Sequence, residues 1–167
     1  MTIARLSSLA FVVATAVSGW VVMSAPVLAQ TKQAAQSKPS KPTAGAQHKV
    51  AIQVNQNDKA VMDLALNNAK NIADHFKAKG ETVAIELVAY GPGLHMLRSD
   101  TSPVKDRISV MSLENPNMTF AACGNTQANQ AKAENKPVTL ISEAKVTPSG
   151  VVRLMELQKQ GYAYIRP

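Results

Sequence analysis

Residues Thr82 to Tyr90 read Thr-Val-Ala-Ile-Glu-Leu-Val-Ala-Tyr, apolar on both alternations except at Glu86. Successive side chains of a strand point to opposite faces, so this stretch needs cover on both sides. Antiparallel sheets commonly leave one face to water, whereas parallel sheets are buried on both. The stretch therefore asks for a parallel sheet with helices above and below it. Glu86 is the anomaly. A buried carboxylate must be paired or protonated, and the sequence favours an ion pair or a subunit contact over a catalytic role.

The flanking sequence supplies the other layers. Lys49 to Val54 reads as a buried strand closed by Asn55-Gln56-Asn57. Asn57 or Asp58 can cap a helix over Lys59 to Lys79, because a side-chain oxygen there accepts an orphan backbone N–H. Val61, Leu64, Ala65, Ile72 and Phe76 are its expected inner face at the 3.6-residue period, and Gly80 is its left-handed stop. Gly91-Pro92-Gly93 ends the Thr82 strand, and Leu94 to Ser99 is short helical or irregular chain. Ser102-Pro103 opens a helix with Ser as cap and Pro at the first helical position; Val104, Ile108 and Met111 face inward. Met118 to Ala122 is the third strand. A polar helix over Thr126 to Asn135 follows, then a poorly patterned stretch and a short strand at Lys145-Val146. Thr147-Pro148 opens a last helix with Val151, Leu154, Leu157 and Met155 inward, and Tyr162 to Ile165 is a terminal strand. The alternation predicts a flavodoxin-like three-layer sandwich with a mainly parallel five-stranded sheet.

The first 29 residues do not belong to this sandwich. Arg5 precedes an apolar run from Leu9 to Val22, and Ala25-Pro26-Val27-Leu28-Ala29 places tolerated residues at the −3 and −1 positions of a cleavage site. This is the three-part pattern of a secretory signal peptide; the run is short for the roughly 20 residues of a membrane span. Cleavage after Ala29 is expected, leaving a periplasmic or secreted chain with no stable membrane insertion. Residues 30–47 hold no large apolar side chain and read as a disordered linker, so the domain occupies 48–167. Of 18 basic residues, Arg5, Lys32, Lys38 and Lys41 precede it, which reduces the formal +7 to an ordinary surplus of 14 basic over 11 acidic groups. With no interleaving of basic and aromatic residues, nucleic-acid binding is rejected.

Cys123 is the only cysteine, so no disulfide can form within the chain. It follows an apolar strand and precedes Gly124-Asn125-Thr126 and a helix, so it falls at the carboxyl end of a strand and near a helix amino end. Ligands of open α/β folds bind at that edge. Free N–H groups and the helix dipole favour an anion there, which lowers a cysteine pKa and raises reactivity. The competing reading is a small buried hydrophobe.

Four loops converge on this edge: 55–57, 90–93, 123–126 and 147–150. Gly91 and Gly93 would let backbone approach closely, and Asn125, Thr126 and Ser149 could hydrogen-bond around a sulfur, although turns need such residues in any case. His95 follows the Gly-Pro-Gly turn and could reach the edge as an acid–base partner; a solvated loop histidine is the plainer reading. With no HxxxH or CxxC spacing, no metal site is expected. The chain lacks a Walker A loop, a GxSxG elbow and a GxGxxG after a strand, and no cofactor is expected.

Val83 to Leu94, Leu66 to Asn71, Phe120 to Thr126, and Pro148 to Val151 with Gly161 to Ile165 together resemble the DsrE/DsrF-like family of sulfur-relay proteins. The resemblance covers His48 to Pro167. It implies a flavodoxin-like sheet and a homo-trimer or homo-hexamer. It also implies that Cys123, matching the cysteine after the third strand, accepts sulfane sulfur as a persulfide and passes it on, with Gly124, Asn125 and Thr126 cradling the terminal sulfur. Donor and acceptor would be proteins or small persulfides. The relay members work in the cytoplasm, whereas this chain reads as exported. The alternatives are a non-catalytic periplasmic ligand-binding or assembly module with a packed, inert Cys123, and a thiol-dependent enzyme on another substrate. Whether the chain counts as an enzyme stays open; if active, it would be a sulfurtransferase-like carrier.

Overall fold

The structure, a computed structural model, describes residues 46–167. The expected signal peptide and nearly all of the expected linker lie outside the described residues. Five strands carry the sheet: β1 (His48–Val54), β2 (Val83–Ala89), β3 (Met118–Cys123), β4 (Ala144–Thr147) and β5 (Ala163–Ile165). Four α-helices connect them: α1 (Lys59–Ala78), α2 (Lys105–Glu114), α3 (Gly124–Glu134) and α4 (Gly150–Lys159), and a 3-10 helix spans Gly91–Leu97. All pairings are parallel, and the strand order is β4-β3-β2-β1-β5. The chain steps along the sheet from β1 to β4, and α4 then carries it back to the far side of β1. This is the flavodoxin-like α/β sandwich that the alternation predicts. β2 lies at the centre with all seven residues buried, as its lack of a polar face requires.

The two faces of the sheet differ in side-chain size. Toward α1 and α2 it presents Val50, Ile52, Val54, Ile85, Leu87, Met118 and Phe120, packed on Met62, Leu66, Ile108 and Met111. Toward α4 it presents mainly Ala51, Ala84, Val88 and Ala121, against Leu154, Leu157 and Tyr162. Small side chains on that face let a single helix lie close to the sheet.

The expected inner faces of two helices are corrected. On α1 the buried side chains are Met62, Ala65, Leu66, Ala69 and Ala73. Leu64 is 46% exposed, while Ile72 and Phe76 only pack at the margin. The row of small residues at 65, 69 and 73 turns toward the strands because it permits the closer approach; ranking positions by side-chain bulk places the stripe too far round. On α4, Leu154 and Leu157 are buried as expected, but Val151 and Met155 are 51% and 54% exposed. Arg153 occupies the inward position instead.

The helix ends follow their local chemistry, with one correction. Asp58 caps α1 by accepting the Ala60 N–H at 2.7 Å. Gly80, at φ 71°, donates to the Lys77 carbonyl while Glu81 donates to that of Phe76, the paired bonds of a Schellman stop. Ser102 does not cap α2, whose cap position is Val104. Its hydroxyl instead donates to the Met96 carbonyl at 2.5 Å and accepts the Val104 N–H at 3.3 Å, so it ties the 3-10 helix to the start of α2.

Candidate functional site

Cys123 is the last residue of β3 and the cap position of α3, which starts at Gly124 rather than Thr126. The earlier start matters chemically. It puts Asn125 and Thr126 in the first helical turn, where backbone N–H groups have no carbonyl partner within the helix. Both turn toward the Cys123 sulfur. Asn125 also donates to the Pro148 carbonyl at 3.2 Å, which ties α3 to the loop before α4.

A third backbone donor comes from α4. Gly150, its first residue, lies against Cys123, and its N–H helps lower the thiol pKa. The sulfur therefore lies at the amino ends of two helices at once, where both dipoles favour negative charge. Gly150 is required by space: a Cβ there would come within 2.9 Å of the Tyr90 Cβ and 3.3 Å of the Cys123 Cβ.

The fourth donor is the Thr126 hydroxyl. Its oxygen accepts the Gly91 N–H at 2.9 Å. Gly91 can present that N–H because its φ of 54° is a conformation that side chains disfavour. Gly93 serves differently. A Cβ there would lie 2.3 Å from the Val54 carbonyl oxygen, so its lack of a side chain lets the 3-10 helix sit against the end of β1. Gly124 lies close to β4 in the same way, its missing Cβ 3.2 Å from a Val146 methyl.

These contacts set the acidity of the thiol. Burial pushes the Cys123 pKa up, since Cys123 is only 5% exposed. The Thr126 hydroxyl and the N–H groups of Gly150, Thr126 and Asn125 outweigh burial and hold the thiol below its ordinary value. A merely packed cysteine in an apolar setting would shift the other way.

Of the residues the sequence singles out, Cys123, Asn125, Thr126 and Gly91 are brought together, with Gly124 and Gly93 shaping the backbone around them. Among the described residues, His95 bonds outside this group. Its Nδ1 lies 3.4 Å from the Thr101 hydroxyl. Sequence reasoning missed the Gly150 N–H as a donor and Tyr90 as a wall. The sequence places the Thr147 to Gly150 loop at this edge, but a backbone donor carries no side-chain signal.

α3 has no buried side chain, and polar contacts hold it in place. Besides the Thr126 bond, Gln127 donates to the Val138 carbonyl at 2.8 Å and Gln130 to that of Gly91 at 3.4 Å. Arg98, at 5% exposure, closes the far end by pairing with Asp100 and Glu134. Glu86 is in an ion pair with Arg153, one of the two structural readings its sequence context supports.

Fold and site together define an α/β sandwich protein with one polarised thiol at the carboxyl edge of its sheet. Residues 48–167 match the DsrE/DsrF-like family, and the chain belongs to that family. At family level this points to sulfur relay. The solved structure of a protein of unknown function from Methanobacterium thermoautotrophicum is similar, at 30% identity and a TM-score of 0.61, over 72% of this chain and 99% of that one. No curated protein matches the chain.

Proposed function

We propose that this protein carries sulfane sulfur as a persulfide on Cys123. The observation that supports this most directly is the seat of the buried Cys123 at the amino ends of α3 and α4, against Gly150 and beside Thr126, where the surrounding donors hold its thiol below the ordinary value. Thiol exchange requires a thiolate, and lowering the pKa raises the thiolate fraction at neutral pH. The Cys123 thiolate attacks the outer sulfur of a donor persulfide. A new S–S bond forms as the donor's S–S bond breaks, and the bonding pair leaves on the donor thiolate. Any proton on the outer sulfur travels with it. Delivery repeats the step, with an acceptor thiolate attacking the outer sulfur and Cys123 leaving as the thiolate. The donors that stabilise Cys123 as a nucleophile also make it a better leaving group.

The proposal extends to where the protein works and how it assembles. Residues 1–29 read as an export signal, which puts donor and acceptor outside the cytoplasm. Val151, Val152 and Met155 expose an apolar strip along the outer side of α4, suited to a second copy in a homo-trimer or homo-hexamer. The test of the carrier role is transfer of labelled sulfane sulfur from a small persulfide donor. The wild type should bind the label and Cys123→Ser should not; retention of label by Cys123→Ser would overturn the proposal.

A further inference from the structure

Glu86 and Arg153 are each 4% exposed. Arg153 Nε donates to Glu86 Oε1 at 2.6 Å, and Nη2 donates to Oε2 at 2.7 Å. Two parallel bonds between planar groups fix direction as well as distance. Glu86 sits in β2, level with Ala51 of β1 and Thr119 of β3. The other buried side chains of α4 are Leu154 and Leu157, which rest on Ala51, Ala84, Val88 and Ala121. A surface of such small side chains offers few ridges to define where a helix stops sliding. The ion pair supplies that definition.

One turn before Arg153, Gly150 packs directly on Cys123, where a Cβ would come within 3.3 Å of the Cys123 Cβ, and its N–H helps hold the thiol pKa down. The Arg153 N–H donates to the Ser149 carbonyl at 2.9 Å, so the first turn of α4 moves with the pinned residue. Contact is close on the other side too, since Gly150 has no room for a Cβ against Tyr90. A small slide of α4 would withdraw the donor.

We propose that the Glu86–Arg153 pair is a positioning device that sets the height and rotation of α4 so that the Gly150 N–H meets the Cys123 sulfur. Both are positioning residues. The pair carries no net charge. The titratable groups facing it are Glu156, 3.5 Å from Arg153 Nη1, and Tyr162. The proposal rests on the reading of Cys123 as a reactive thiol, and its test is read on the thiol rather than on sulfur transfer.

The test is the pH profile of Cys123 alkylation in the full-length reduced protein, with folding checked by circular dichroism. Breaking one partner would strand a buried charge, whereas replacing a whole buried pair with apolar residues is often neutral for stability. The informative variant is therefore Glu86→Met/Arg153→Met, which also leaves net charge unchanged. The thiol pKa should rise by about one unit, with a several-fold slower reaction at pH 7. Arg153→Lys keeps the charge but not the fork, and should fall between the two. A folded double variant that titrates as the wild type overturns the positioning role and leaves the carrier reading standing. If the double variant does not fold, Arg153→Lys decides, and a wild-type profile there overturns the proposal. A wild-type thiol at the free-cysteine value overturns both readings.

Discussion

Thr126 Oγ1 accepts the backbone N–H of Gly91 at 2.9 Å, and this contact decides where the Thr126 hydroxyl can point its hydrogen. With a donor already on its oxygen, the hydroxyl is left to donate toward the Cys123 sulfur. The first residue of the 3-10 helix thereby aims a residue of α3 at the last residue of β3.

Removing that hydroxyl should raise the thiol pKa. A hydrogen bond to a charged group contributes about 1.5–3 kcal/mol, or roughly one to two pH units. Thr126→Ala should shift the alkylation profile upward by that order, and Thr126→Ser should keep most of the wild-type behaviour. Identical profiles for Thr126→Ala and the wild type would show that the hydroxyl is not a donor to the sulfur.

Gly150→Ala should cost stability despite the better helix propensity of alanine. The propensity gain is about 1 kcal/mol in a helix interior, while overpacking typically costs about 1–3 kcal/mol. The new Cβ would meet Tyr90 at 2.9 Å, so α4 must give way. Urea denaturation should show a lower midpoint, and the Cys123 pKa should rise as the Gly150 donor withdraws.

The Arg98 cluster predicts sensitivity to acid. Arg98 beside Asp100 holds that carboxyl well below the usual range, and Glu134 is lowered by the same guanidinium. Carboxylates depressed in the folded state stabilise it above their unfolded pKa values, near 4. That stability is lost as pH falls through the lower folded values. Stability should therefore decline as pH drops below about 4, and Arg98→Met should show a shallower decline over the same window. Equal slopes for the two proteins would contradict the pairing.

The apolar strip on α4 predicts self-association. Val151→Lys with Met155→Lys adds charge to two half-exposed positions without entering the core. Light scattering should show an assembly for the wild type and a smaller species for the double variant. A monomeric wild type would remove self-assembly from the proposal.

Much of this organisation is legible in the sequence where local pattern and tertiary demand coincide. The two-sided burial of β2 follows from its two apolar alternations, and Cys123, Asn125 and Thr126 are marked by a strand running directly into a helix. Other parts depend on what a residue meets across the fold. Leu64 turns outward and Ala69 inward because the approach distance of α1 to the sheet decides which side is inward. Arg153 carries no inward signal in the sequence until Glu86 is placed opposite it. The Gly150 N–H and the buried fork of Arg98 join segments far apart in the chain, and neither leaves a periodic signature.

The most direct test of the carrier role is the intact mass of the full chain, reduced and then exposed to a small persulfide donor. The wild type should gain the mass of one sulfur atom, lose it on reduction, and transfer it to an added thiol, while Cys123→Ser gains nothing. A wild-type protein that stays at its starting mass, with Cys123 shown to be a free thiol throughout, would contradict the carrier role and leave a packed cysteine in a binding or assembly module.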